Sequence, residues 1–265
     1  LKKLLIGGFS KVYEIGRLFR NEGIDMTHNP EFTTAEWYES YSDAEKQMIF
    51  IEFVLRKITK ETTGKETVLF QDNEIDFSKK FEIFSYSDLL KKYAGIESVE
   101  TITKEEIISV AKNLGVKIDK GDSLEKIMDS IYKKMCRPKL IQPTFINNHP
   151  VNYLPLAKRT AGSGETVDAF QVVVGGMEIV KAFSELNDPI DQRERFAVQE
   201  KYREEGDKEA QPADEDFIEA MEYGMPPAGG LGLSIDRLTM LLSDTRNIKE
   251  VILFPTMKPK GELDK

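Results

Sequence analysis

Val12-Tyr13-Glu14-Ile15-Gly16-Arg17-Leu18-Phe19-Arg20 and, after a polar stretch, Phe32-Thr33-Thr34-Ala35-Glu36-Trp37-Tyr38 decide how this chain folds. Alternate residues of a strand share a face. The first run therefore sets Val12, Glu14, Gly16, Leu18 and Arg20 against Tyr13, Ile15, Arg17 and Phe19. The second gathers Phe32, Thr34, Glu36 and Tyr38 and turns Trp37 away toward packing. The connection from Asn21 to Glu31 is too long for a tight hairpin, and long connections inside compact domains often carry function.

Outward from this pair the pattern changes to helices. Ser42-Asp43-Ala44-Glu45 reads as a capping box with Ser42 as cap, and Ala44, Met48, Ile51, Leu55 and Ile58 keep helical spacing up to Gly64. Thr103-Lys104-Glu105-Glu106 is a second box, on a helix ending near Leu114-Gly115, and Ser123 opens another with Leu124, Ile127, Met128, Ile131 and Met135 on one face. Residues 85–136 read as a small helical insertion. Ala169 to Val174, then Gly175-Gly176, then Met177 to Glu185 predict a hairpin with a two-residue turn. Asp188-Pro189 starts a charged helix toward Gly206, and Glu215 to Tyr223 form another. Gly229 to Ser234 is a glycine-rich strand, Ile235 to Leu242 a core helix, and Val251-Ile252-Leu253-Phe254 a buried strand. Strands with helices set aside predict an α+β fold with a mainly antiparallel sheet.

The chain has 265 residues and a net charge of −9, from 46 acidic and 37 basic side chains. With 40% hydrophobic and 31% charged residues it has a globular balance, and no apolar run approaches the ~20 residues of a bilayer span. The single cysteine, Cys136, excludes an internal disulfide framework and fits a reducing, cytoplasmic setting. It reads as a small buried hydrophobe. His149 reads as a loop residue, the run from Arg193 to Asp216 as a solvated helical face, and Lys258-Pro259-Lys260 as too short a basic run to indicate nucleic-acid binding.

An arginine at a strand end, Glu22, a polar loop holding His28, and Phe32, Glu36 and Tyr38 in line allow two readings. One is a solvated hairpin with Arg20–Glu22 or Arg20–Glu36 pairs. The other is a ligand site, in which the arginine fork grips a carboxylate or phosphate, a ring stacks on a heterocycle and a carboxylate holds an ammonium. Here the residues become recognisable. Phe19-Arg20-Asn21-Glu22-Gly23 with His28-Asn29-Pro30-Glu31-Phe32-Thr33 resembles motif 2 of the class II aminoacyl-tRNA synthetases, and Gly230-Leu231-Gly232-Leu233-Ser234-Ile235-Asp236-Arg237 resembles motif 3. The spacing to Glu36 and Tyr38 is similar to that of the lysyl-tRNA synthetases. So are Leu140 to Phe145, Phe183-Ser184-Glu185-Leu186-Asn187-Asp188-Pro189 and Leu253-Phe254-Pro255-Thr256-Met257.

The resemblance implies that residues 1–265 are part of a class II catalytic domain, an antiparallel sheet flanked by helices. Arg20 would hold the ATP α-phosphate and the lysine carboxylate, countering charge in the transition state. Glu22 and His28 would contact the adenine end and the phosphates, Phe32 would stack on adenine, and Arg237 would clamp the γ-phosphate. Glu36 and Glu185 would receive the two ammonium groups of lysine, with Tyr38 and Phe183 lining its pocket. A lysine pocket needs negative charge and an apolar sleeve in any case.

Two positions depart from the family pattern. Two acidic residues that bind Mg²⁺ correspond to Gln171 and Glu178, and with a neutral Gln171 a weaker attraction is expected; Gln171 can also be purely structural. Lys181 stands where the family commonly has Asn, sharing a face with Phe183 and Glu185. Either a distortion turns it away or it pairs with a phosphate or an acid and retunes the pocket. Glu178 and Glu185 are an odd number of residues apart, so both face the site only through a β-bulge.

The implied reaction is activation of L-lysine by ATP, with Mg²⁺, to lysyl-adenylate and pyrophosphate, then transfer to the 3′ end of tRNA(Lys). Two rivals stand beside it: a lysine or β-lysine ligase acting on a translation elongation factor, and a catalytically silent lysine-binding module. The chain opens with Leu1, where the family is already inside its catalytic domain. Motif 1, with its homodimer contacts, and the anticodon-binding barrel are therefore expected to belong to a longer protein. The acidic balance, which taken alone argues against a broad nucleic-acid-binding surface, then ceases to argue against tRNA.

Overall fold

The two β-prone runs form strands β1 (Lys11–Phe19) and β2 (Glu31–Ser40) in a computed structural model, which describes residues 1–21, 23–119, 121–204 and 212–257. Glu22 and Lys258-Pro259-Lys260 lie outside the described residues, and the charged run 193–216 is described only in part. β1 and β2 pair antiparallel from Lys11↔Glu39 to Phe19↔Glu31, which leaves Arg20 just past the strand end. Helix α1 (Lys2–Ile6) precedes them.

Helix α2 (Ala44–Thr63) ends, as expected, on Gly64, left-handed at φ 74°. Its cap is Asp43 rather than Ser42: the Asp43 carboxylate accepts from the Lys46 amide at 2.9 Å, while Ser42 Oγ accepts from the Gln47 side chain at 3.1 Å. The helix begins one residue later than the box requires, which moves Glu45 off the reciprocal position. Hairpin β3 (Thr67–Phe70) and β4 (Asn73–Asp76) turns on Gln71 and Asp72 at φ 48° and 65°. No glycine marks that turn in the sequence. Strand β5 (Glu82–Ser85) leads into helices α3 (Tyr86–Ala94), α4 (Lys104–Asn113) and α5 (Leu124–Ile131). Thr103 makes both halves of its capping box and Ser123 caps α5. Then follow β6 (Thr144–Asn147), β7 (Ala169–Val174), β8 (Met177–Ser184), α6 (Pro189–Glu204), α7 (Glu215–Glu222), β9 (Ala228–Ser234) and α8 (Ile235–Leu242).

The fold is α+β. One seven-stranded sheet runs in the order β1-β2-β9-β8-β7-β6-β5, antiparallel except for the β5–β6 pair. Helices α2 and α8 cover one face, packing Ile51, Leu55, Leu238 and Leu241 on Ala35, Val172, Ile179, Val180, Leu231 and Leu233. Trp37 joins this side and donates from Nε1 to Gln47 Oε1 at 2.8 Å. Helices α3–α5 enclose a second core that includes Cys136 and reaches Ile146 and Val173. Burial pushes the Cys136 thiol up to about 12, so it is a packed hydrophobe. A third cluster joins Phe196, Phe217, Ile218 and Met221 of α6 and α7. The charged run is therefore not simply a solvated face: Arg195 is 6% exposed, donates to the Ala157 carbonyl at 2.6 Å and forks onto Asp191.

Residues 251–254 do not form the expected strand. They make turns, with Leu253 90% and Phe254 88% exposed. A β-prone run becomes a strand only when a partner edge satisfies its backbone, and the sheet edges β1 and β5 take no partner from it. Among the described residues no helix is long and apolar enough to cross a membrane.

Candidate active site

The sheet face opposite α2 and α8 is built from rows set by register. One row runs Glu36–Gly232–Lys181–Gln171 and the next Tyr38–Gly230–Phe183–Ala169 across β2, β9, β8 and β7. The central strand contributes glycines to both rows, so the floor is open where the flanking strands carry charge and rings.

At one end, the loop between β1 and β2 folds back on α8. His28 Nδ1 lies 2.9 Å from Asp25 Oδ2, and its Nε2 faces the Arg237 guanidinium at 2.9 Å. A guanidinium can only donate, so Nε2 accepts and the ring proton sits on Nδ1, donated to Asp25. Burial would raise the Asp25 pKa, but the Thr27 amide and the His28 ring outweigh it and hold it low. Arg237 also donates to the Thr27 carbonyl at 3.2 Å and the Glu178 carbonyl at 2.8 Å, tying loop, helix and β8 together. The Arg20 guanidinium lies 5.3 Å from the Phe32 ring centre. Asp236 anchors the start of α8 by accepting from the Thr33 amide at 2.7 Å.

At the other end lies a deeply buried carboxylate. The Glu185 side chain is 0% exposed and ion-paired with the Lys2 ammonium. That ammonium sits 5.9, 5.4 and 5.7 Å from the ring centres of Tyr38, Phe183 and Phe217, an apolar cage with one acid at its base. Burial pushes the Glu185 pKa up; Lys2 pulls it back and Glu36 adds to the rise, with a net upward shift. The Tyr38 hydroxyl reaches toward Glu36 Oε2 at 3.5 Å, and burial together with Glu185 and Glu36 keeps the phenol protonated. Gly230 is indispensable to this pocket. A Cβ there would come within 2.0 Å of Glu185 Oε1 and 2.6 Å of the Tyr38 ring.

Between the two ends, β8 carries the expected bulge. Val173 faces Glu178 but Val172 faces Val180, leaving Ile179 as the extra residue. Ile179 and Val180 are both buried toward the core, and Glu178, Lys181 and Phe183 all come to the other face. The bulge also moves Gln171 opposite Lys181 instead of the Val180 that a regular hairpin predicts. Lys181 does not reach into the Glu185 pocket. Its ammonium lies 3.7 Å from Glu178 Oε1. Burial would raise the Glu178 pKa, but Lys181, Arg237, Arg137 and Lys133 hold it below its ordinary value.

A divalent magnesium site asks for hard oxygen ligands with net negative charge. Among the described residues no group of three or more His, Cys, Asp or Glu side chains is placed to hold an ion. At the expected position Gln171 is neutral and the one carboxylate, Glu178, faces an ammonium, so these residues do not fit a two-carboxylate ion site.

His149, read as a loop residue, lies outside helix and strand but is only 1% exposed, 5.3 Å ring to ring from Tyr86. Burial, reinforced by Lys181, pushes its pKa down to about 4. From about pH 6.5 down to about 4 the unfolded chain takes a proton that the folded chain refuses, so stability falls with pH at about 1.4 kcal/mol per unit for this group. In urea melts, His149→Phe should remove that slope between pH 6.5 and 4; an unchanged slope would show that the ring is protonated in the fold.

The structure thus gathers Arg237 and His28, places Arg20 on Phe32, and separately gathers Glu36, Tyr38, Phe183 and Glu185. Lys2, Asp25, Asp236 and Phe217 were not singled out from sequence. The partners of Lys2, Asp236 and Phe217 lie far away in the chain, and only the Asp25–His28 spacing was locally legible.

Comparison with known proteins adds three relatives, each named a lysine–tRNA ligase. That of Thermoanaerobacter pseudethanolicus is 45% identical over 262 residues, 99% of this chain and 52% of the relative. That of Moorella thermoacetica is 45% identical, covering 99% and 54%, and that of Enterococcus faecalis 46% identical, covering 97% and 52%. The chain spans about half the length of the curated relatives it matches. The family model of the class II tRNA synthetases for aspartate, lysine and asparagine (D, K and N) matches residues 1–258, and the chain belongs to that family.

Proposed function

We propose that this chain is the amino-acid- and ATP-binding part of a lysine–tRNA ligase. The observation that carries this reading is the Glu185 pocket: a fully buried carboxylate caged by aromatic rings that accommodates a primary ammonium, that of Lys2. The names of the relatives point the same way. Glu36 and Glu185 would share the two ammonium groups of substrate lysine, with Tyr38 and Phe183 as walls. Substrate lysine would have to displace Lys2 from Glu185.

In the first step the lysine carboxylate oxygen attacks the α-phosphorus of ATP. A new C–O–P linkage forms, the bond to the bridging oxygen breaks, and pyrophosphate leaves with the electron pair. The protein supplies position and charge. Arg20 would hold the carboxylate and the α-phosphate, Phe32 would stack on adenine, Glu22 and His28 would contact the adenine end and the phosphates, and Arg237 would clamp the terminal phosphate. Magnesium would accompany ATP as a counter-ion on the phosphates, with Glu178 the one carboxylate left at a position where the family pattern has two. Transfer to the tRNA(Lys) 3′ end would follow, in the cytoplasm and in a full-length homodimer. Residues 1–265 would be part of the catalytic domain. Residues 85–136 would be an insertion in it, a reading supported by the second core, which α3–α5 mainly enclose and which packs onto the sheet at Ile146 and Val173.

The test is lysine-dependent ATP–pyrophosphate exchange by the full-length protein, with Arg20→Ala expected to lower it about 10²–10³-fold. Exchange without tRNA charging would redirect the reading to a ligase acting on a translation factor. No exchange would favour the second reading, a silent lysine-binding module, for which Gln171 and Lys181 speak.

A further inference from the structure

The middle of the site departs from a metal centre in one direction: positive charge stands where negative charge is required. Lys181, Arg237, Arg137 and Lys133 all act on the single Glu178 carboxylate. They arrive from independent elements. Lys181 sits on β8, Arg237 on α8, and Lys133 and Arg137 at the exit of the helical segment 85–139. Lys181 Nζ lies 3.7 Å from Glu178 Oε1 with its side chain 41% exposed, and Arg237 donates to the Glu178 carbonyl at 2.8 Å.

The surroundings leave that ammonium available to a ligand. Its neighbour in register on β9 is Gly232, where even an added Cβ would stay 4.0 Å from the Lys181 carbonyl. Its neighbour on β7 is Gln171, a neutral side chain that brings no competing charge. The Ile179 bulge aligns Lys181 with Glu178 on the ligand face, and the Glu185 pocket is served by Lys2 instead.

From this juxtaposition we infer that Lys181 is a resident cation that binds the triphosphate of ATP directly, taking the place of a divalent ion at the Gln171–Glu178 position, with Glu178 orienting it. The inference rests on ATP being the substrate. An ammonium is a compact point charge with three donors, suited to non-bridging phosphate oxygens, and the Arg237 fork beside it complements a terminal phosphate. A divalent ion brought to Glu178 would meet the Lys181 ammonium at close range. Neutral Gln171 is consistent with the same exchange, since a second carboxylate there would compete with phosphate for Lys181.

The experiment is equilibrium binding of ATP to the full-length protein, by calorimetry in EDTA and in Mg²⁺, together with Mn²⁺ titration of the nucleotide complex followed by electron paramagnetic resonance. Lys181→Asn should weaken metal-free ATP binding about tenfold or more, the worth of one charge-assisted hydrogen bond, while Lys181→Arg stays close to the parent. In Gln171→Glu/Lys181→Asn the complex should take up an additional Mn²⁺. Thermal melts of each variant verify folding, and Lys181→Asn alone suffices if the double variant does not fold. If the parent binds ATP only with a divalent ion and Lys181→Asn changes nothing, or changes lysine binding instead, the inference is overturned while the ATP reading stands. If ATP does not bind under any condition, both fall.

Discussion

Arg237→Ala is expected to lower lysine-dependent ATP–pyrophosphate exchange by about 10²–10³-fold, the scale of losing one preorganised charge from a transition state. Three observations set the size. The guanidinium spans Thr27, His28 and Glu178, so its removal releases the nucleotide-side loop from β8. It faces His28 Nε2, whose acceptor role it alone explains among the described contacts. It also opens the helix that Asp236 pins to Thr33, so its position is held by the fold rather than by a flexible arm. Arg237→Lys keeps the charge but cannot span three partners, and should recover only part of the loss. The distinguishing measurement is steady-state kinetics with lysine and ATP varied separately. The loss should fall on kcat and on ATP, and an equal loss in lysine affinity would place Arg237 outside the phosphate end.

Gly230→Ala should abolish lysine binding while leaving ATP binding nearly intact. The added methyl carbon would stand 2.0 Å from Glu185 Oε1 and within 2.7 Å of two Tyr38 ring atoms. Glu185 is fully buried and Tyr38 lies directly opposite Gly230 in register, so both side chains would have to shift to admit the methyl. Glu185→Gln is the companion that preserves the space and removes the charge. It should weaken lysine by about tenfold to a hundredfold, since a buried ion pair that loses one partner costs several kcal/mol and part of that loss is relieved by the amide. Calorimetry with lysine and ATP separately reads both variants, and equal losses for the two ligands would reject the pocket assignment.

These expectations divide according to how far apart in the chain their causes lie. Helix α8, the Thr103 box, the Gly175-Gly176 turn and the α+β class were all readable from neighbours within a few residues, because capping, turn chemistry and periodicity are local. The bulge was legible too, as a parity argument: Glu178 and Glu185 cannot share a face of a regular strand. Which residue would be extra was not legible, since Ile179 is chosen by packing against α2 and α8. The cap at Asp43 instead of Ser42 turned on a one-residue shift in where α2 begins.

By itself, then, the sequence determined the family, the elements and the list of chemically capable side chains, because each rests on short-range pattern. Tertiary structure alone decided the pairings: Lys2 with Glu185, Lys181 with Glu178, Arg237 with His28, and the failure of 251–254 to find a sheet edge. A charge or a backbone amide takes the nearest partner in space. For Lys2, Arg237 and the last β-prone run, that partner, or its absence, is set by long-range packing.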